Sequence, residues 1–150
     1  MADDFSWDVR VAATAPDAAT VYARRHRVEI GGPISFDREA PRASALEHVI
    51  GAIGADIVTG LLKRAKKRRL EIDSVEAVVE GKLGNPLVFL DVVGEEGDPG
   101  LKTVSIRVYV STLHKPAEIE PLWQETLARS PLVATFRRAC DLQLSIKVTP

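Results

Sequence analysis

The alternation of apolar and polar residues predicts strands near the beginning of the chain. The segment from Trp7 to Val11 alternates with a period of two, and the segment from Thr20 to Ile30 alternates again. Between them lies Ala15-Pro16-Asp17, a sequence typical of a turn. The pattern therefore predicts a hairpin over about residues 6–31.

A long helix is predicted over about residues 45–69. Ser44 is a suitable N-cap, and Glu47 three residues later completes a Ser-x-x-Glu capping box. From Val49 to Leu62 the helix is apolar on every side except at Asp56 and Thr59. A helix that is apolar all round is expected to be buried.

In the second half of the chain, the pattern of apolar and polar residues predicts strands that are separated from helices. The pattern predicts strands over Ile72–Leu83, Leu101–Thr112 and Leu142–Val148, and a short strand within Pro86–Val93. It also predicts helices over Pro116–Arg129 and Leu132–Ala139, the second of them capped by Ser130-Pro131. Runs of strands and helices in this arrangement are typical of an α+β fold with an antiparallel sheet. Because the long helix is apolar over more than one stripe, a second copy of the chain is expected to cover part of it, as a homodimer.

Composition narrows the class of protein. With 150 residues and a net charge of −1, the chain is expected to form a single domain with no general attraction to nucleic acid. The one cysteine, Cys140, predicts a reducing, cytoplasmic location. The acidic N-terminus does not match a signal peptide, and the 14-residue apolar run is shorter than the ~20 residues of a membrane span.

The long helix and the order of elements resemble a known family. The segment SALEHVIGAIGADIVTGLLKRA, which opens with Ser-x-x-Glu and continues through an Ala/Gly-rich turn, resembles the OsmC/Ohr superfamily. The resemblance implies a single domain over residues 1–150 in which antiparallel sheets wrap a long central helix, and an intertwined dimer formed through that helix and swapped strands. It also implies an active site at the dimer interface, where a peroxidatic cysteine reduces organic hydroperoxides and a second cysteine resolves the sulfenic acid.

The positions that the resemblance implies for the two cysteines hold other residues. Glu47 matches the glutamate at the helix start, and the peroxidatic position nine residues later holds Asp56. The resolving position, before Pro131, holds Ser130. The arginine that the resemblance places in the N-terminal hairpin has three candidates: Arg24, Arg25 and Arg27.

The replacement of both cysteines, by Asp56 and Ser130, changes the predicted chemistry. Peroxide reduction needs a thiolate that is oxidised to a sulfenic acid, and a carboxylate cannot replace it. Cys140 matches neither redox position, and its alternation with Leu142 and Leu144 predicts a small buried residue.

Asp56 has two interpretations, which the sequence leaves open. As a functional residue it lines a pocket at the dimer interface and acts as general base, general acid or polar anchor for a small, largely apolar organic molecule. Phe36 and Trp123 are the predicted aromatic walls of that pocket. As a structural residue it pairs with an arginine of the N-terminal hairpin, which avoids the cost of an unpaired buried charge.

The remaining polar groups favour structural interpretations. Glu47 is a candidate site residue that would orient an arginine beside the pocket, but the capping box accounts for it fully. On one helix Glu47 and Asp56 face opposite sides because ~100° separates successive residues. His26, His48 and His114 have no metal-ligand spacing, so neither a metal nor a cofactor is predicted. The basic run Lys63–Arg69 is either a patch that binds nucleic acid or another anion or, as is favoured, the solvated C-terminal end of a helix.

Three functions follow from these residues. The first is an OsmC-like protein without thiol-dependent peroxide reduction, which binds or transforms an organic molecule near Asp56. The second is an organic hydroperoxide reductase in oxidative-stress defence, with Cys140 as its thiol. The third is a non-catalytic structural dimer.

Overall fold

The computed structural model describes residues 5–32 and 39–150, and Phe36 lies outside them. The chain divides into two compact units, Met1–Val49 and Ile50–Pro150, with the division inside the long helix. The elements in this part of the chain are, in order, β1 (Arg10–Ala15), β2 (Ala18–Ala23), β3 (His26–Gly31), α1 (Ala45–Lys67), β4 (Ser74–Leu83), α2 (Pro86–Phe89), β5 (Leu101–Ser111), α3 (Pro116–Arg129), α4 (Pro131–Ala139) and β6 (Asp141–Thr149).

The first unit contains an antiparallel sheet in the order β1-β2-β3. The turn predicted at Pro16-Asp17 is present, with Ala15 paired to Ala18 across it. The prediction of one continuous strand from Thr20 to Ile30 was wrong, because a second tight turn at Arg24-Arg25 divides that segment. Arg24 adopts a left-handed φ of 56°, a conformation that glycine and asparagine usually signal and arginine does not.

The predicted capping box at the start of α1 is confirmed. The Ser44 backbone N–H donates to Glu47 Oε2 at 2.7 Å, and the Glu47 N–H donates to Ser44 Oγ at 3.3 Å. These hydrogen bonds, the backbone one foremost, lower the pKa of Glu47. The helix ends in a Schellman motif, in which Arg69 has a φ of 55° and the Leu70 N–H donates to the Ala65 carbonyl at 2.9 Å.

The second unit contains a mixed sheet in the order β4-β5-β6. β4 pairs with β5 antiparallel, as predicted, but β6 pairs with β5 parallel. The expectation of a purely antiparallel sheet fails here because α3 and α4 lie between β5 and β6 in the chain. A helical crossover returns the chain to the same end of the sheet, so that the next strand runs in the same direction.

The segment after β4 also differs from its prediction. Pro86–Val93, expected to hold a short strand, begins with the short helix α2. Asn85 caps this helix, since its Oδ1 accepts the Leu87 N–H at 3.0 Å, and Pro86 occupies the first helical position. Proline is favourable there because its missing N–H would have no partner in the helix.

The core of the second unit lies where one stripe of α1 packs with the sheet and α3. The helix approaches β4 closely at Gly54, where an added Cβ would lie 2.8 Å from Val79 Cγ2. β5 alternates buried and less buried positions, as its sequence pattern predicts. The buried cluster consists of Ile53, Ile57, Leu61 and Ala65 of α1, Val104, Ile106, Val108 and Val110 of β5, Ile119, Leu122, Trp123 and Leu127 of α3, and Val133 of α4.

Another face of α1 carries exposed apolar side chains in the part of the chain that the structure describes. Val49 is 41% and Leu62 42% exposed, and the expectation that a second copy of the chain covers part of this helix stays a prediction. By length and composition α1 is also apolar enough to cross a membrane, a test that the core helices of soluble proteins pass as well. Its buried stripe in the protein core accounts for part of that apolar character.

Candidate functional site

Ser130 lies at the junction of two helices. It follows the last residue of α3 and is the N-cap of α4, where its Oγ accepts the Val133 N–H at 3.0 Å. Pro131 occupies the first position of α4, which matches the cap predicted from the Ser-Pro sequence. The serine is buried, and the hydrogen bond at the helix cap orients its hydroxyl group.

The hydroxyl group of Ser130 donates a hydrogen bond to Oδ2 of Asp56 on α1. The two residues lie 74 positions apart in the chain, and the packing of α1 beside the α3–α4 junction brings them together. A hydrogen bond to an ionised carboxylate is stronger than one between neutral groups. Asp56 is half-buried rather than buried, and its partner here is a hydroxyl group rather than a guanidinium.

A cavity of about 320 Å³ opens beside this pair. One wall is a single face of α1, because residues at successive turns of a helix share a face, and the other wall is the end of α3. Its size is at the lower end of the range for small-molecule sites. The lining residues are Asp56, Thr59, Gly60, Lys63 and Arg64 of α1, and Thr126, Arg129 and Ser130.

Gly60 allows α1 and α3 to lie close together where Gly60 and Thr126 line this cavity. A Cβ on Gly60 would lie 3.2 Å from Thr126 Cγ2 and 3.1 Å from Arg64 Nη1. Arg64 folds back over the glycine, and its Nη1 donates to the Gly60 carbonyl at 3.0 Å. A side chain at position 60 would therefore require Thr126 and Arg64 to move by a few tenths of an ångström.

The cavity carries more positive than negative charge. Three of its side chains are cationic and one, Asp56, is anionic. Glu125 balances part of this charge, since its Oε1 lies 3.9 Å from Arg64 Nε and 3.4 Å from Arg129 Nε. Lys63 has no ion-pair partner within residues 5–32 and 39–150, and it is exposed at the rim.

The other residues predicted for the site have different surroundings. Glu47 is held in the capping box, and Trp123 is 4% exposed within the core, so neither lines this cavity. Phe36 lies outside the described residues. The three candidate arginines are exposed in the first unit: Arg24 and Arg25 in the β2–β3 turn and Arg27 in β3.

Cys140 lies at the opposite end of α4 from Ser130. Its Sγ contacts the Phe136 carbonyl at 3.5 Å, and its side chain packs against the core cluster. Burial, and then the neighbouring charge of Asp141, raises the pKa of the thiol. At a rise of ~1.5 Å per residue, α4 separates Cys140 from the cavity by about 15 Å.

Sequence reasoning missed the cationic residues of the cavity. For the basic run that contains Lys63 and Arg64, a solvated helix end was favoured over an anion-binding patch, and Arg129 was not singled out. A signal was present, because Gly60, Lys63 and Arg64 follow Asp56 at spacings of four, seven and eight and so share its face of α1.

The fold identifies the structural class of the chain. No protein-family model and no curated protein sequence matches it, so the comparison rests on structure alone. An OsmC-like protein from Mycoplasma pneumoniae superposes with a TM-score of 0.80 at 13% identity, over 99% of this chain and 100% of that one. The chain has the fold of the OsmC/Ohr superfamily.

Further OsmC/Ohr structures agree with this identification. An organic hydroperoxide resistance protein OsmC from Legionella pneumophila superposes with a TM-score of 0.66 at 14% identity, covering 97% of this chain and 98% of that chain. The organic hydroperoxide resistance protein OhrB of Bacillus subtilis superposes with a TM-score of 0.62 at 17% identity, covering 94% of this chain and 98% of that chain. The predicted OsmC-like α+β fold is confirmed over nearly the whole chain.

Proposed function

We propose that this OsmC-like protein has no thiol-dependent peroxide reductase activity and that it binds a small organic molecule in the Asp56–Ser130 cavity. The observation that carries the proposal is the hydrogen bond between Ser130 Oγ and Asp56 Oδ2. The resemblance assigns these two positions to a pair of redox cysteines, which must meet to form a disulfide. Two residues that touch across 74 positions of sequence support that assignment, with oxygen groups in place of sulfur.

The chemistry of this pair differs from that of two cysteines. A thiolate attacks the peroxide bond and becomes a sulfenic acid, whereas a carboxylate has no comparable two-electron oxidation. The Ser130 hydroxyl donates to Asp56 and accepts from Val133, so it serves as a positioning group. Asp56 keeps acceptor capacity beyond the one bond from Ser130, because an ionised carboxylate accepts at about four positions.

Asp56 therefore acts as a hydrogen-bond acceptor for the bound molecule, or as a general acid or base toward it. A proton donor on the ligand would occupy one of its remaining acceptor positions. The lining favours a polar ligand over the largely apolar one expected from the sequence, because its side chains are hydroxyl groups and charged groups. A ligand without polar groups would leave these groups desolvated and unpaired.

The exposed apolar surfaces support a homodimer. In the first unit Trp7 is 84%, Val9 58% and Val11 59% exposed, and in the second unit Leu62 is 42% exposed. Exposed apolar residues on a strand, in the segment that precedes it and on a helix face are typical of a surface that a second copy covers. The long helix and the swapped N-terminal strands would then form the interface. Light scattering of the purified protein is expected to give twice the mass of one chain, and a monomer mass would contradict this part of the proposal.

The alternative function is organic hydroperoxide reduction in stress defence, and the names of the Legionella and Bacillus neighbours favour it at the level of the family. It would require Cys140 to act as the only thiol in the chain. The raised pKa of this thiol and its contacts with the core argue against that role. A purely structural dimer is the third function, and it predicts that no ligand occupies the cavity.

A peroxidase assay separates the first two functions. The purified protein is incubated with cumene hydroperoxide and a dithiol, and peroxide loss is followed for the wild type and for Cys140→Ser. We expect both proteins to match the rate without protein. Peroxide consumption by the wild type that Cys140→Ser abolishes would overturn the proposal and establish the reductase.

A further inference from the structure

The cations around the cavity indicate which class of molecule it takes. Lys63, Arg64 and Arg129 surround a volume in which Asp56 is the only acidic side chain among the lining residues that the structure describes. Even with Glu125 counted, cations outnumber acidic groups at this site. Water screens such charges in the empty cavity, but a bound ligand displaces part of that water and strengthens their attraction for an anion.

The positions of these charges also predict that the two ends of the bound ligand carry different groups. Asp56 and Lys63 lie on the same face of α1, separated by about 10 Å along the helix axis because each residue rises ~1.5 Å. Asp56 accepts hydrogen bonds, whereas Lys63 and Arg129 donate them. The Arg129 guanidinium lies near Arg64, the neighbour of Lys63, because both arginines are close to Glu125 Oε1. A molecule that spans the cavity therefore presents a donor at one end and an anion at the other.

Resting on the function proposed above, we propose that the cavity binds a small organic acid, with its carboxylate toward Lys63 and Arg129 and a hydroxyl donor toward Asp56. An arginine guanidinium matches the planar geometry of a carboxylate, and a lysine at the rim contributes a mobile positive charge. The volume of about 320 Å³ suits a single small molecule. An anion without the donor would lose the hydrogen bond to Asp56.

The charge requirement is tested with two probes of equal size. 4-Hydroxybenzoate carries a carboxylate and a hydroxyl donor, and 4-hydroxybenzamide replaces the carboxylate with a neutral group. We expect titration calorimetry at low salt to give an affinity for the acid about tenfold higher than for the amide, a typical effect of one charge-assisted contact. Binding of the acid should weaken as sodium chloride is added, because salt screens exposed charges.

Substitutions then test which residues contact the carboxylate of the ligand and which residue contacts its hydroxyl group. Lys63→Gln and Arg129→Gln should each weaken binding of the acid by about threefold to tenfold, since each removes one partly exposed cation. Lys67→Gln, at the end of the same helix and outside the cavity, is the matched control and should leave the affinity unchanged. Asp56→Ala should abolish the preference for 4-hydroxybenzoate over benzoate, and circular dichroism verifies that each variant is folded.

The possible results separate the two proposals. If the acid and the amide bind equally and Asp56→Ala weakens both, the cavity binds ligands but the inferred preference for an organic acid is wrong. If inorganic phosphate competes as well as 4-hydroxybenzoate, the site selects simple anions and the organic acid is again excluded. Absence of binding, or binding that none of the cavity substitutions changes, would overturn both proposals.

Discussion

The two ends of α4 differ in every property that matters for chemistry. At its N-terminal end Ser130 caps the helix, holds Asp56 and borders a cavity lined by charged and hydroxyl groups. At its C-terminal end Cys140 contacts a backbone carbonyl and the apolar core, and burial raises the pKa of its thiol. Cys140, the one thiol of the chain, thus lies outside the cavity. The side chains that line the cavity have no thiol chemistry. In this fold, the location of polar groups rather than the presence of a cysteine marks the candidate site.

The largest expected difference between the two ends is in stability. Ser130→Ala removes an N-cap worth about 1 kcal/mol and a hydrogen bond to a charged group worth about 1.5–3 kcal/mol. Because Asp56 is half-buried and water can reach it after the substitution, we expect the free energy of unfolding to fall by about 2–3 kcal/mol. Urea denaturation measures this change.

Two variants control that measurement. Ser130→Thr keeps the hydroxyl group and should retain most of the stability. Cys140→Ala, at the other end of α4, should cost only about 1 kcal/mol, because it removes one half-buried sulfur atom. Equal losses for Ser130→Ala and Cys140→Ala would contradict the difference drawn between the two ends.

The reactivity of Cys140 gives a second, smaller difference. Because burial and the charge of Asp141 raise the pKa of the thiol, its rate of reaction with a disulfide reagent should rise only at a higher pH than for a free cysteine. The pH profile of labelling in the folded protein measures this, and the urea-unfolded chain is the control. A folded-state midpoint below that of the unfolded chain would indicate an activated thiol.

The smallest expected effect is the pH dependence of the stability that Glu47 contributes. The carboxylate of Glu47 is held in the capping box and does not line the cavity. Its pKa is lower in the folded protein, so its contribution to stability is complete above the ordinary value of about 4.3 and is lost as pH falls through the lower folded value. The stability difference between the wild type and Glu47→Gln should therefore shrink on acidification. Glu47→Gln should leave binding of 4-hydroxybenzoate at neutral pH unchanged, and weaker binding would give Glu47 a role in the site.

The sequence allowed the fold to be predicted where local signals were strong. The capping box at Ser44, the Ser130–Pro131 cap and the alternation in β5 all correspond to observed elements. The turn at Arg24 was missed because arginine is not a residue that signals a left-handed conformation. The parallel pairing of β6 was missed because strand direction depends on the path of α3 and α4 rather than on residues in the strand.

For the candidate site, the sequence indicated single residues and could not give their contacts. Asp56 stood out because a charge interrupts an apolar helix, and Ser130 because it precedes a proline. Their hydrogen bond and the cations beside them depend on how α1 and α3 pack, which no local pattern encodes. Trp123 illustrates the converse, since an aromatic residue expected to form a ligand-binding wall is part of the core.

The most direct test of the central claim restores sulfur to the two positions. In a chain that carries Asp56→Cys, Ser130→Cys and Cys140→Ser, one equivalent of cumene hydroperoxide is added, and thiols are counted before and after reduction. Because the native side chains at these positions touch, we expect a disulfide to form between residues 56 and 130 within one chain. If both thiols remain free, or if they bridge only between molecules, Asp56 and Ser130 do not occupy the positions of a redox pair.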